Sequence, residues 1–240
     1  MRKILKRIII REKSDSDSYV KYLRKKGCNI GKGTSIFYPT RVTIDITRPW
    51  LIEIGENVQI TEGVTILTHG YDWSVLKGKY GEILGSAGKV RIGNNVFIGM
   101  NSTILKGVTI GNNVIVGANS LVNKNFPDNV VIAGNPAKII MTIDDYYKKR
   151  KMNQLKEAEE CCLEYYKKYN KWPDKKIMRE FVWLFEDRKI DVDKDSVFKE
   201  IGSLLQNYEQ TKDKFYSTQG KFENYEFFLK YCNEKLNLNN

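Results

Sequence analysis

Histidine occurs once in these 240 residues, at position 69. Imidazole is the side chain whose ordinary titration lies near neutral pH, so it can take a proton from an attacking hydroxyl or amine without a metal. Past one intervening residue, His69 is followed by Tyr71, Asp72 and Trp73. The other reactive types carry no such pattern. Cys28, Cys161, Cys162 and Cys232 have neither metal-site spacing nor a disulfide framework, and the adjacent Cys161 and Cys162 cannot easily bridge or chelate. No serine or cysteine motif marks a covalent intermediate, so the chemistry expected is direct attack with His69 as base, and no metal.

The elements around His69 give it weight. From 92 to 122 a β-branched residue recurs every sixth position: Ile92, Ile98, Ile104, Ile110, Val116 and Val122. Helices repeat every 3.6 residues and flat strands every two, so a period of six reads instead as a parallel β-helix with these side chains inward. Pairs such as Asn94-Asn95 and Asn112-Asn113 fall where the strand must bend, and Asn tolerates positive φ. Ile54, Ile60 and Ile66 hold the same spacing, as do Ile30, Ile36 and Val42, which leaves Arg48 in an inward slot and predicts an irregular coil there. Ile66 and Ile92 are out of phase, so a segment is inserted between them, with loop composition from about Gly70 to Gly88. His69 stands where the beat breaks. A long loop leaving a rigid scaffold tends to carry function.

Composition sets the rest. No stretch approaches a membrane span, and the N-terminal apolar run is too short for a signal peptide. Together with the cysteine usage this predicts a cytoplasmic protein. The net charge of +11 is concentrated in residues 1–27, which hold ten Lys/Arg against three acids. Residues 1–13 have an amphipathic, basic pattern that reads first as a helix covering the end of the coil, and as the alternative fits an anionic membrane surface, hence a location at its inner face. The basic residues lack interleaved aromatics, which excludes nucleic acid as the expected partner. A helix over Ser16–Lys26 is predicted to end at Gly27. The organisation expected is a basic helical segment 1–27, a β-helix 28–140 with its loop at about 70–88, and a helical extension 141–240. Helical stretches are expected at 144–169 and near 174–187, 195–211 and 222–236. That extension carries eighteen of the twenty-eight aromatics, which fit a small packed core better than a row of sugar-stacking rings.

The run from Ile92 to Lys124 (IGNNVFIGMNSTILKGVTIGNNVIVGANSLVNK) resembles the hexapeptide-repeat acyltransferases. Phe126 to Lys138 (FPDNVVIAGNPAK) resembles their coil-terminating segment, and Ile66-Leu-Thr-His-Gly with Lys79-Tyr-Gly-Glu resembles the branch that O-acetylates sugars and capsular polysaccharides. The similarity spans roughly residues 27–140. It implies a mainly β fold, a left-handed parallel β-helix assembled as a homotrimer, with active sites between subunits and acetyl-CoA as co-substrate. Carried over by position, His69 is the base and the Met100 N–H faces the thioester carbonyl. Ala118, Asn123 and Lys124 line the CoA arm, and Lys138 lies near its phosphates. Asn123 stands where relatives often have Thr. Asp45, Tyr71, Asp72 and Trp73 are the candidate contacts to a sugar or glycan acceptor.

Three other functions suit the same fold. A zinc carbonic anhydrase needs three histidine ligands per metal, and one His per chain argues against it. A non-catalytic scaffold leaves the placement of His69 without purpose. An N-acetyltransferase acting on a nucleotide-linked amino sugar shares fold, cofactor and base, and differs only in the acceptor.

Overall fold

A computed structural model describes residues 11–204 and 207–238. Most of the basic segment 1–13 therefore lies outside the described residues, which take it up at a short 3-10 turn over Arg11–Lys13. The chain divides into two compact units, Met1–Tyr146 and Tyr147–Asn240.

The first unit opens with helix α1 (Ser16–Lys26). Asp15 caps it by accepting from the Ser18 N–H at 2.8 Å, and Gly27 ends it at φ 110°, a left-handed conformation that glycine adopts without a Cβ penalty. The chain then visits three sheets in turn. One lap is β1 (Asn29–Ile30), β2 (Ser35–Ile36) and β3 (Thr43–Ile44), and the next is β4 (Ile52–Ile54), β5 (Gln59–Ile60) and β6 (Thr65–Ile66). A hairpin of β7 (His69–Gly70) and β8 (Ser86–Ala87) interrupts the winding. It resumes with β9 (Val90–Ile92), β10 (Phe97–Ile98) and β11 (Thr103–Ile104), then β12 (Thr109–Ile110), β13 (Ile115–Val116) and β14 (Leu121–Val122). Strands β15 (Val130–Ala133) and β16 (Lys138–Thr142) finish the unit. The first face is β1-β4-β9-β12, the second β2-β5-β10-β13-β15-β16, and the third β3-β6-β11-β14. All pairings within the laps are parallel, and only β15 with β16 runs antiparallel along a face.

Equivalent inward residues stack. Ile60 pairs with Ile98 and Ile98 with Val116, while Ile66 pairs with Ile104 and Ile104 with Val122. All are buried, as are Val58, Val64, Val96, Val108 and Val114 two positions ahead of the paired residues. At one corner the laps meet so closely that a Cβ on Gly93 would come within 2.6 Å of the Gly111 carbonyl oxygen. Asn95 and Asn113 take the corner at φ 55° and 54°, and their amides bond each other at 2.8 Å.

The six-residue beat assigned the early lap incorrectly. Ile44, not Val42, pairs with Ile66, because a 3-10 turn at Pro39–Arg41 adds residues before β3. A second turn at Pro49–Leu51 adds more, so Arg48 occupies no inward slot and lies half-buried in a turn. The inserted segment is likewise more than loop: it contains helix α2 (Trp73–Tyr80), none of whose residues is buried. At the far end, β16 carries sheet pairing to Thr142, two residues beyond the expected limit of the coil.

The second unit is helical. Helix α3 (Ile143–Tyr169) leads into it, and α4 (Val182–Phe185), α5 (Ser196–Gly202), α6 (Tyr208–Tyr216) and α7 (Tyr225–Leu238) follow. The helices expected near 174–187 and 195–211 are shorter than that or split. Phe185, Phe198, Phe215 and Phe228 are fully buried at its centre. Packing, not sugar stacking, accounts for these rings, as with the Phe185–Phe228 centroids at 5.2 Å. No helix among the described residues is long and apolar enough to cross a membrane.

Candidate active site

The corner after the third face is built from successive laps. Asp45 and Thr47 follow β3, Thr68 and His69 follow β6, Lys106 follows β11, and Lys124 follows β14. Backbone bonds fix the heights: Asp45 N–H donates to Ile66 O at 3.0 Å and Leu67 N–H to Ile104 O at 3.0 Å. His69 is thereby placed on the scaffold before the insertion departs.

His69 Nδ1 lies 2.5 Å from Asp45 Oδ2. The same oxygen accepts from the Thr68 N–H at 3.1 Å and from the Thr68 hydroxyl. Asp45 Oδ1 accepts from the Thr47 N–H at 3.0 Å and its hydroxyl at 2.7 Å. Asp45 is 8% exposed, and burial alone would raise its carboxyl. The bonds from Thr68, Thr47 and His69 outweigh that and hold it well below the usual carboxylate range. An ionised carboxylate only accepts, so Nδ1 donates to it, and in the neutral form of the ring the lone pair is then on Nε2. Among the described residues nothing hydrogen-bonds Nε2, and the imidazole is 13% exposed. Such an arrangement can take a proton from a bound acceptor and stabilise the resulting imidazolium.

The acceptor candidates divide. Tyr71 sets its ring edge-on to His69 at 5.0 Å, and Trp73 lies 6.1 Å from Tyr71. Asp72, exposed, precedes α2. Asp45, expected to meet acceptor, sits behind the imidazole with both oxygens already bonded, one by Thr47 of its own lap and the other by Thr68 and His69 of the next. Thr47 and Thr68 were missed altogether. The readable signal was Asp45-Ile-Thr47, an Asx turn in which a carboxylate accepts from the N–H two residues on.

The cofactor candidates are not gathered in one chain. Met100 and Ala118, both exposed, lie one lap apart at the corner between the second and third faces, where the Met100 carbonyl accepts from the Asn119 N–H at 2.8 Å. The Met100 N–H has no partner among the described residues. Asn123 and Lys124 are exposed at the corner that carries His69, two laps further on, with Lys124 Nζ 5.6 Å over the Phe126 ring. Lys138, exposed, starts β16 at the edge of the second face. A full face, roughly 20 Å of extended chain from Met100 to Lys106, separates the two corners. No cluster of metal-ligating side chains occurs among the described residues.

Residues 89–124 match the family described as "Bacterial transferase hexapeptide (six repeats)". Protein CapG of Staphylococcus aureus is 52% identical over 124 residues, which cover 52% of this chain and 71% of CapG. The galactoside O-acetyltransferase of Escherichia coli strain K12 is 37% identical over 119 residues, 50% of this chain and 57% of that enzyme. A solved galactoside acetyltransferase in complex with coenzyme A shares 27% identity, covering 55% of this chain and 73% of that one at a TM-score of 0.42.

Proposed function

We propose, from the premise that this chain belongs to the hexapeptide-repeat acyltransferases, that it transfers acetyl from acetyl-CoA to a hydroxyl of a sugar, with His69 as general base. The observation that carries this reading is the His69–Asp45 pair at 2.5 Å, held between two laps beside the insertion. Acetyl-CoA supplies an activated thioester carbonyl. Nε2 of His69 takes the acceptor proton as the oxygen attacks that carbon, and the C–S electron pair leaves with the thiol sulfur. The proton then passes from the imidazolium to the departing thiolate. The Met100 N–H is the donor to the developing oxyanion, and Asp45 holds the imidazole in the tautomer that can act. Base assistance contributes roughly 10²–10⁴-fold. Tyr71 and Trp73 present rings suited to the C–H face of a sugar, with Asp72 beside them as an acceptor for its hydroxyls.

The residues present fit the cofactor. Ala118 keeps its corner low, Asn123 offers an amide, and Lys124 and Lys138 bring exposed cations for phosphates. In this reading the coil is left-handed and the enzyme a homotrimer, with the Met100 corner of one copy facing the His69 corner of the next. That assembly reunites the two halves of the site. It also covers apolar side chains that one chain leaves in water, among them Val75 and Ile83 on the insertion, 71% and 62% exposed.

The test is His69→Ala assayed with labelled acetyl-CoA and a panel of hydroxyl and amino sugars. Transfer is expected to fall at least a hundredfold while the fold and CoA binding persist, and activity within about threefold of the parent would remove His69 from the chemistry. Sedimentation should show a trimer at micromolar concentration. An active monomer would contradict the divided site.

A further inference from the structure

The helical unit holds an open cavity of about 570 Å³, within the size range of small-molecule sites. Four cations line it, Arg150, Lys151, Lys214 and Lys221, with two aromatics, Tyr147 and Trp183, and no carboxylate. That is unlike the rest of its surroundings, since residues 141–240 hold twenty Lys/Arg against nineteen Asp/Glu. Elsewhere in the unit the lysines find acids: Lys175 ion-pairs with Glu186 at 2.9 Å and with Asp195 at 2.7 Å, and Lys194 with Asp191 at 2.9 Å. Among the cations around the cavity, Arg150 pairs with a carboxylate, that of Glu157, which does not itself line it. Lys151 lies 5.4 Å over the Tyr147 ring, and neither it nor Lys214 nor Lys221 has a carboxylate partner among the described residues.

The wall is rigidly held. The Arg188 guanidinium donates to Trp183 O at 2.9 Å, Glu186 O at 2.5 Å and Thr218 O at 3.1 Å, and it packs 4.0 Å over the Phe215 ring. Trp183 is braced edge-on against Phe215 at 5.5 Å. At Gly220, which lines the cavity, a Cβ would come within 2.8 Å of Phe222 O and 3.0 Å of Leu184 O, so the backbone is packed too closely there to admit a side chain. Convergent lysines repel each other unless an anion sits among them, and ammonium donors adapt readily to phosphate or carboxylate. The aromatics and the amides of Gln154 and Gln219 suit the faces and hydroxyls of a sugar. A concave wall does not match a flat lipid surface.

We propose that this cavity is a second binding site, separate from His69, for an anionic saccharide bearing phosphate or carboxylate groups. Calorimetric titration of the full chain with glucose 1-phosphate, trigalacturonic acid, maltotriose and inorganic phosphate tests it. At least one charged sugar is expected to bind tenfold or more tighter than both maltotriose and phosphate, and the tighter of the two identifies the charged group. Replacing Lys214 and Lys221 together by alanine should weaken that binding at least tenfold, and higher salt should weaken it further. His69→Ala should leave it unchanged. Equal binding of maltotriose or of phosphate alone would overturn the proposal. So would indifference to the lysine pair, loss of binding in His69→Ala, or lysine-dependent binding confined to phosphatidylglycerol vesicles.

Discussion

The two units solve the problem of a core in opposite ways. In the coil, Ile and Val of nearly one size recur lap after lap, and each lap hydrogen-bonds the next through the backbone. In the helical unit, a few large rings meet once each, and a nearly buried Glu186 pairs with Lys175 among them. Repetition spreads stability over many equivalent contacts, whereas singular packing concentrates it in individual side chains. Accordingly the coil positions groups by lap height, as with Asp45 and His69, and the helical unit positions them by interlocking side chains, as with Trp183 and Arg188.

The largest effect should fall in the helical unit. Phe185→Ala removes a ring that touches both Tyr225 and Phe228, and we expect a loss of about 3–5 kcal/mol in urea denaturation followed by helical circular dichroism. Transfer to a small sugar, read from the coil, should keep its own midpoint. Equal shifts in both readouts would erase the distinction between the units. A smaller effect, about 1–3 kcal/mol of overpacking, is expected for Gly93→Ala, because its Cβ meets the backbone of the next lap. Gly85→Ala has nothing within 4 Å and serves as its control. Comparable loss from both would mean that lap spacing does not carry the coil.

The smallest expected effect on folding, though not on turnover, is that of Asp45→Asn, which breaks the one dense polar network at this corner. An amide at this position can offer Nδ1 a donor instead of an acceptor, which favours the wrong tautomer, so kcat should fall at least tenfold, about 1.4 kcal/mol of barrier, with KM for acetyl-CoA little changed. The pH dependence has a definite sign. Asp45 is held below its ordinary value of 3.8, so its contribution to stability is complete above about pH 4 and is lost as pH falls through its folded value. The stability gap between parent and Asp45→Asn should therefore narrow as pH falls below about 4. A gap independent of pH down to 3 would show that folding does not lower the Asp45 carboxyl below its ordinary value.

How far the sequence could be read follows the same division. Every residue of the beat from Ile92 to Val122 points inward, because an uninterrupted period leaves only one register. The beat failed between Ile36 and Ile54, where two 3-10 turns add residues without disturbing the alternation that a reader counts. His69 stood out by its position. Asp45 did not, since what ties it to His69 is a stacking of laps 24 residues apart. In the helical unit the first and last helices were legible almost to their ends, at 144–169 and near 222–236, whereas the stretches between them were legible only as helical. Their boundaries depend on tertiary contacts between rings that no local period announces, and the cavity depends on residues from 147 to 221.

The pairing of Ile66 with Ile104 spans 38 positions, whereas that of Ile104 with Val122 spans 18, yet the column runs straight through both. Each lap thus behaves like a clock face: any detour that returns to the same hour goes unnoticed by the laps above and below. Closing a longer detour costs only about 0.6 kcal/mol for each doubling of its length. The segment bearing Tyr71 and Trp73 is therefore an exchangeable cassette, whereas Asp45 and Thr68 belong to the clockwork. On the proposed function, swapping the cassette from Gly70 to Ser86 should re-cut acceptor preference and leave the His69–Asp45 pair in place.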